Sequence, residues 1–213
     1  MRVLDLFSGI GGFSLGLERS GMETVAFCEI EDYPVKVLNK HWPDVPVYRD
    51  IRELTAEKLA EDGIDDIGLI CGGYPCQPFS HAGKRSGEDD DRHLWPEMFR
   101  IIAQAKPTWA ICENVYGHIK LGLDSVLHDL EGIGYACQSF VIPALATGAN
   151  HNRERVFIVA YSTSYGQYES KASGCDGEAN EYGEKGANKN SDNEGFSGLR
   201  FGVDWKGEAI GRW

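Results

Sequence analysis

Short apolar runs alternate with amphipathic stretches through the first 160 residues, and polar residues take over after Tyr161. The apolar runs at 2–6, 24–29, 67–71, 108–112, 136–142 and 155–160 predict β-strands. Between them, helical periodicity predicts helices over 12–19, 33–41, 56–61, 93–105 and 123–132, with Gly21, Gly63 and Gly134 placed as terminators. Strand and helix in regular alternation is the pattern of an α/β fold, a mostly parallel sheet with helices on both faces, because each parallel crossover must return over the sheet.

The chain divides by composition at residue 161. Residues 1–161 carry the alternating pattern and predict one folded domain; residues 162–213 are rich in Gly, Ser, Asn, Glu and Lys, with hardly an apolar residue before Phe196. Such a tail has no core of its own and is expected to be poorly ordered, with only 199–205 and 210–213 offering side chains that could dock.

With 213 residues, 42% hydrophobic and 25% charged, the totals are those of a soluble globular protein with one substantial core. No apolar stretch reaches membrane-spanning length and Met1 leads straight into a strand, so a cytoplasmic protein without signal peptide or anchor is expected. The six cysteines, at 28, 71, 76, 112, 137 and 175, form no CxxC pair and no metal-ligand spacing; reduced thiols and no metal are the simplest expectation. The net charge of −12 argues against a broad basic face, although Lys84, Arg85, Arg92, Arg100, Arg153 and Arg155 could still gather into a local positive groove.

Against this background one loop stands out. Gly72-Gly73-Tyr74-Pro75-Cys76-Gln77-Pro78-Phe79-Ser80 sets a cysteine between two prolines at the end of an apolar strand. A thiol there faces the crevice of an α/β sheet on a stiffened loop, which suits a nucleophile; the alternative is a buried structural cysteine.

The first predicted strand runs into a glycine-rich turn and helix in which Gly9, Gly11 and Gly12 permit close backbone approach and the helix start offers free N–H groups. Ser14 stands where a dinucleotide fingerprint has its third glycine, and no phosphate-loop Lys-Ser/Thr follows. Glu29, ending the second strand, is placed to bond ribose hydroxyls, and Asp50-Ile51 to hold an adenine amino group and face; the alternative makes both acids solvated caps. A carboxylate for ribose without a phosphate site points to an adenosine cofactor such as S-adenosylmethionine.

The strand at 108–112 delivers Glu113-Asn114-Val115 to the same sheet edge as Cys76. If the thiol attacks C6 of a cytosine, a protonated Glu113 can donate to N3 as charge develops, and burial beside the thiolate would raise its pKa to suit. The alternative is that Glu113 and Asn114 cap the turn. Arg153 and Arg155 alternate before the last strand and could project together toward the crevice, or form an exposed charge pair with Glu154.

These segments together resemble the cytosine-C5 DNA methyltransferases. DLFSGIGGFSLGLE is similar to that family's cofactor motif, GGYPCQPFS to its nucleophile loop and ENV to its base-activating motif. HNRERVFIVA is similar to its Q-x-R-x-R motif, with His151 in place of glutamine, and the order and spacing agree over residues 2–161. The resemblance implies a Rossmann-like S-adenosylmethionine-dependent methyltransferase fold and methyl transfer to C5 of a flipped-out cytosine in double-stranded DNA, through a covalent bond from Cys76 to C6. A similar motif set serves an RNA-directed branch acting on tRNA.

By the same resemblance Cys76, Glu113, Arg153 and Arg155 are catalytic. Phe7, Ser8, Gly9, Gly11, Gly12, Glu29, Ile30, Asp50, Ile51, Pro75 and Leu94 would contact S-adenosylmethionine, and Gln77, Ser80 and Asn114 the substrate. Residues 77–92 would form a loop closing over the base. The family's target-recognition region, asparagine motif and final helix are not seen before Trp213. A C-terminal partner chain or segment, a truncated and inactive fragment, or a compact enzyme are therefore the expectations.

Overall fold

The computed structural model describes residues 1–75 and 94–164. Cys76, Gln77, Ser80 and the rest of the 76–93 loop lie outside the described residues, as does the predicted tail from residue 165 onward.

The described residues form a seven-stranded sheet in the order β3-β2-β1-β4-β5-β7-β6. Its strands are β1 (Arg2–Leu6), β2 (Glu23–Cys28), β3 (Val47–Tyr48), β4 (Leu69–Gly72), β5 (Trp109–Val115), β6 (Tyr135–Pro143) and β7 (Glu154–Ser162). The helices are α1 (Gly12–Arg19), α2 (Asp32–His41), α3 (Ala56–Glu61), α4 (Trp95–Ala105) and α5 (Leu123–Gly132). Strands β1 to β5 pair in parallel, whereas β7 runs antiparallel to both β5 and β6. The strand at 155–160, whose arginines might have marked an edge, is therefore internal, and β6 is the edge.

The alternation of side chains sorts the core into two layers. Leu4, Leu6, Ile70, Ala110, Cys112, Ile158 and Ala160 meet Leu59 of α3, Met98, Ile101 and Ile102 of α4, and Val126 and Leu130 of α5. On the other face Val3, Leu69 and Cys71 pack with Phe13 and Leu17 of α1 and with Trp109 and Ile111. At roughly 25 cal/mol per Å² of apolar surface removed from water, these two layers supply the main force holding the domain.

Element ends follow local chemistry. Pro96 occupies the first turn of α4, where a missing N–H costs nothing, so the helix starts at Trp95 rather than at 93. Gly21, Gly63 and Gly134 sit at φ of +81°, +82° and +89°, just past three of the helices. The pattern missed β3, which is only two residues long and preceded by Pro46, and two short 3-10 helices over Tyr116–Lys120 and Ala144–Thr147. Among the described residues no helix is long and apolar enough to cross a membrane, and no group of three or more His, Cys, Asp or Glu side chains could hold a metal ion. Cys28, Cys71, Cys112 and Cys137 are free thiols.

Asp5 explains the serine that replaces a third glycine. Its carboxyl is fully buried on the α1 face of β1, where the Ser14 hydroxyl donates to Oδ2 at 2.7 Å. Burial dominates, outweighing help from Ser14 and the Cys71 thiol, and lifts the carboxyl from 3.8 to about 7. The folded state therefore holds a proton that the unfolded chain releases near 3.8. Stability present at low pH is lost as pH rises through that window, by roughly 4 kcal/mol at 1.36 kcal/mol per unit. Asp5→Asn is expected to flatten this dependence and to be the more stable form at pH 8, as measured by urea unfolding at both ends of the range. An unchanged pH dependence would show that burial does not govern this carboxyl.

Candidate active site

Every loop that leaves the carboxyl end of β1 to β4 opens onto one cleft. Strand order reverses between β1 and β4, the place where an open α/β sheet leaves a crevice. The cleft has a volume of about 330 Å³ and lies between Phe7 after β1, Cys28 to Glu31 at the end of β2, Arg49 to Arg52 after β3, and Gly73, Pro75 and Leu94. Of the residues expected at a cofactor, Phe7, Glu29, Ile30, Asp50, Ile51, Pro75 and Leu94 line it. Cys28, Glu31, Arg49, Arg52 and Gly73 line it too, without having been singled out. The two arginines flank Asp50 in the string YRDIR, a signal that was readable.

The glycine turn works differently from its expected role. Phe7 and Gly9 both adopt φ +53° and Gly11 φ +85°, a tight left-handed path that carries the chain from β1 into α1. Gly9 and Gly12 have open space where a Cβ would stand. Gly11 instead backs onto protein: a Cβ there would come 2.6 Å from the Trp42 ring. Ser8 is turned inward, its hydroxyl donating to the carbonyls of Asp5 at 2.6 Å and Cys28 at 3.3 Å. Ser8 and Gly11 thus shape the turn, whereas Gly9 and Gly12 leave room for a close approach.

Glu29 shapes the turn as well. Gly9 N–H donates to its Oε2 at 2.7 Å and Glu31 N–H to its Oε1 at 2.8 Å, so the carboxylate ties the β1 and β2 loops together while still lining the cleft. Asp50 and Ile51 are held from behind. Arg100 on α4 donates to the carbonyls of Ile51 at 2.8 Å and Leu54 at 2.9 Å, and pairs with Glu97. Arg100 is therefore a structural tie and no part of a positive groove, a correction to the sequence expectation.

At the far end of the cleft, β4 runs beside β1 with Gly72 opposite Leu6. A Cβ on Gly72 would clash with the Leu6 carbonyl oxygen, so the close approach requires glycine. Gly73 follows directly over Glu113, where a Cβ would sit 2.7 Å from Oε2. Because β7 is antiparallel, its first residues lie at this same edge, and Arg155 Nε meets Glu113 Oε1 at 2.8 Å. Burial raises the Glu113 carboxyl above its usual range against the opposing pull of Arg155 and Arg153. Arg153 itself is exposed.

Asn114 lies against main chain. It is 4% exposed, its Nδ2 donates to the Tyr74 carbonyl at 3.1 Å, and its Oδ1 accepts the Val115 N–H at 2.8 Å. Its amide is bonded to main chain on both sides, which matches the alternative that Glu113-Asn114 caps the turn after β5.

Known proteins agree with this architecture. The fold matches a structure described as a DNA modification methyltransferase encoded within an E. coli prophage. That match has a TM-score of 0.67 and 28% identity, over 78% of this chain and 48% of the other. It also matches a crystal structure of Spodoptera frugiperda DNMT2, with a TM-score of 0.63 and 25% identity, over 76% and 50% of the two chains. The class is the Rossmann-like fold of S-adenosylmethionine-dependent methyltransferases. More narrowly, the family model for C-5 cytosine-specific DNA methylases matches residues 1–194, and the chain belongs to that family.

Relatives include the Type II methyltransferase M.HgiBI of Herpetosiphon aurantiacus, 37% identical over 74% of this chain and 36% of the relative. Another is M.NgoMIV of Neisseria gonorrhoeae, 36% identical over 76% of this chain and 52% of the relative. A third is M.CviJI of Paramecium bursaria Chlorella virus IL3A, 36% identical over 77% of this chain and 44% of the relative. The chain matches about half or less of the length of these relatives.

Arg155→Met removes the nearer of the two charges holding the Glu113 carboxyl down. Its titration, followed by side-chain carbon NMR, is expected to move to higher pH; no movement would show that the ion pair does not set the proton affinity.

Proposed function

We propose that this chain carries the catalytic centre of a DNA (cytosine-5-)-methyltransferase that uses S-adenosylmethionine. The observation that carries the reading is the convergence of Gly73, at the root of the cysteine loop, on the Glu113–Arg155 pair at one end of a cleft. The cleft suits an adenosine: apolar Phe7, Ile30 and Ile51 are offered beside the carboxylates Glu29 and Asp50, in a volume of about 330 Å³. When bound there, S-adenosylmethionine supplies an electrophilic methyl group on sulfur. The Type II relatives favour DNA over tRNA as the methyl acceptor.

In the proposed chemistry the Cys76 thiolate adds to C6 of cytosine and Glu113 donates its proton to N3. The resulting enamine makes C5 nucleophilic, which the unmodified ring is not. After the methyl group moves to C5 and S-adenosylhomocysteine is released, water takes the C5 proton, the S–C6 bond breaks to free the Cys76 thiolate, and the N3 proton returns to Glu113. The upward shift of the Glu113 carboxyl by burial supports this donor role, and in the proposal Arg155, beside Glu113, contacts the base oxygen with support from Arg153. C5 and C6 are covered inside a duplex, so the base must leave the stack to reach the thiol, and Gln77 and Ser80 on the same loop would contact it.

The test is incorporation of labelled methyl groups from S-adenosylmethionine into duplex DNA, with tRNA as a parallel acceptor. Cys76→Ser is expected to abolish incorporation while leaving DNA affinity within about threefold, since one atom changes and little surface does. Glu113→Gln is expected to lower the rate by about a hundredfold or more with S-adenosylmethionine affinity unchanged, in the range of general-acid contributions. A full rate in either variant would overturn the assignment of that residue.

A further inference from the structure

Tyr74 is held at both ends by the segment that follows Glu113. Its carbonyl accepts from Asn114 Nδ2 at 3.1 Å, and its phenol hydroxyl lies 2.8 Å from His118 Nε2, in a site where Tyr74 and His118 are each 3% exposed. The ring packs on Trp95 of α4 with centroids 5.1 Å apart and meets the His118 ring edge-on at 5.6 Å. Each support is anchored in turn. Trp95 Nε1 donates to Asp129 of α5 at 2.8 Å, and His118 is pressed against Gly122, where a Cβ would come 2.6 Å from Cε1. A glycine at 122 leaves the imidazole this room, and the 3-10 turn that begins directly after β5 carries it there.

An apolar core would fill this space more simply, because a buried hydroxyl and imidazole must find each other or lose their bonds to water. What the polar pair adds is direction: it fixes the height and rotation of one residue through bonds at its carbonyl and at its tip. We propose that the Tyr74–His118 hydrogen bond, acting with Asn114, is a positioning device that sets the main chain of residues 73–75 over the Glu113 carboxyl. It thereby sets the point from which Cys76 departs. This inference rests on the reading of Cys76 and Glu113 as the reacting pair. In it Tyr74 and His118 act through the backbone of Gly73 and Pro75. A displacement of the loop root changes the thiol's approach to the base and moves only the Gly73 and Pro75 wall of the cleft, since Glu29 and the Asp50–Ile51 loop opposite are held separately by the Gly9 N–H and by Arg100.

The experiment pairs kinetics with hydrogen exchange read by mass spectrometry on the full chain. Tyr74→Phe, which keeps the ring and removes only the hydroxyl, is expected to lower kcat for methyl transfer about tenfold, the worth of one directed hydrogen bond. KM for S-adenosylmethionine is expected to stay within about twofold, and amide exchange is expected to rise in peptides covering 69–74 and 113–122 but not in those covering α1. His118→Phe should reproduce this, the double variant should be no worse than either single one, and His118→Gln, which keeps an acceptor at similar reach, should recover most of the rate. Unchanged exchange at 69–74 in Tyr74→Phe, or a rise spread over the whole domain with KM and kcat falling together, would overturn the proposal. If the parent chain transfers no methyl group, the functional reading fails on that result alone, and the exchange pattern still decides whether the pair positions the loop root.

Discussion

The site depends on the direction of a single strand. Five parallel strands bring their carboxyl ends to one edge of the sheet, and β7, inserted antiparallel between β5 and β6, brings its amino end to that edge. An acid at the end of β5 and an arginine at the start of β7 can therefore meet at 2.8 Å although they are far apart in sequence. A parallel strand in the same slot would place Arg155 at the opposite edge, and Glu113 would face the cleft without a counter-charge.

Two opposed influences then act on Glu113. Removal from water favours the neutral acid, and the guanidinium favours the anion; burial prevails. The balance leaves this carboxyl easier to protonate than a solvent-exposed glutamate, with a cation beside its anionic form. Asp5 illustrates the unopposed case. Among the described residues no arginine faces it, hydrogen bonds from Ser14 and Cys71 offset burial only in part, and its carboxyl rises to about 7. The two acids differ in burial, Asp5 being fully enclosed and Glu113 only partly, and in neighbours, and only the one with a cation beside it belongs to the cleft end where chemistry is proposed.

Much of the framework consists of ties between loops. Glu29 joins the β1 and β2 turns through two backbone N–H groups, Arg100 holds the Asp50–Ile51 loop from α4, and Asn114 and His118 hold Tyr74. Charged and polar residues that look available to a ligand in one dimension are in several cases spent on main chain. Arg100 was misplaced by sequence reasoning for this reason, and Asn114 takes up the turn-capping alternative that the sequence left open: spacing shows that a side chain can reach an edge but not which partner is already waiting there.

The alternating strands and helices, the glycine-rich turn and the cysteine and Glu-Asn-Val segments were legible in sequence because periodicity and turn chemistry are local properties. Five of the predicted strands and all five helices lie within two residues of their observed positions, since hydrophobic period and terminal Gly or Pro act over a few residues. The two-residue β3 was not legible; so short a segment forms only because β2 is already there to pair with Phe27 and Cys28. Nor was the internal position of β7, the Glu113–Arg155 contact or the Tyr74–His118 bond. The two side-chain contacts join residues more than 40 positions apart, and these pairings, like the place of β7, are decided by how the strands order and the helices pack, which no local pattern encodes.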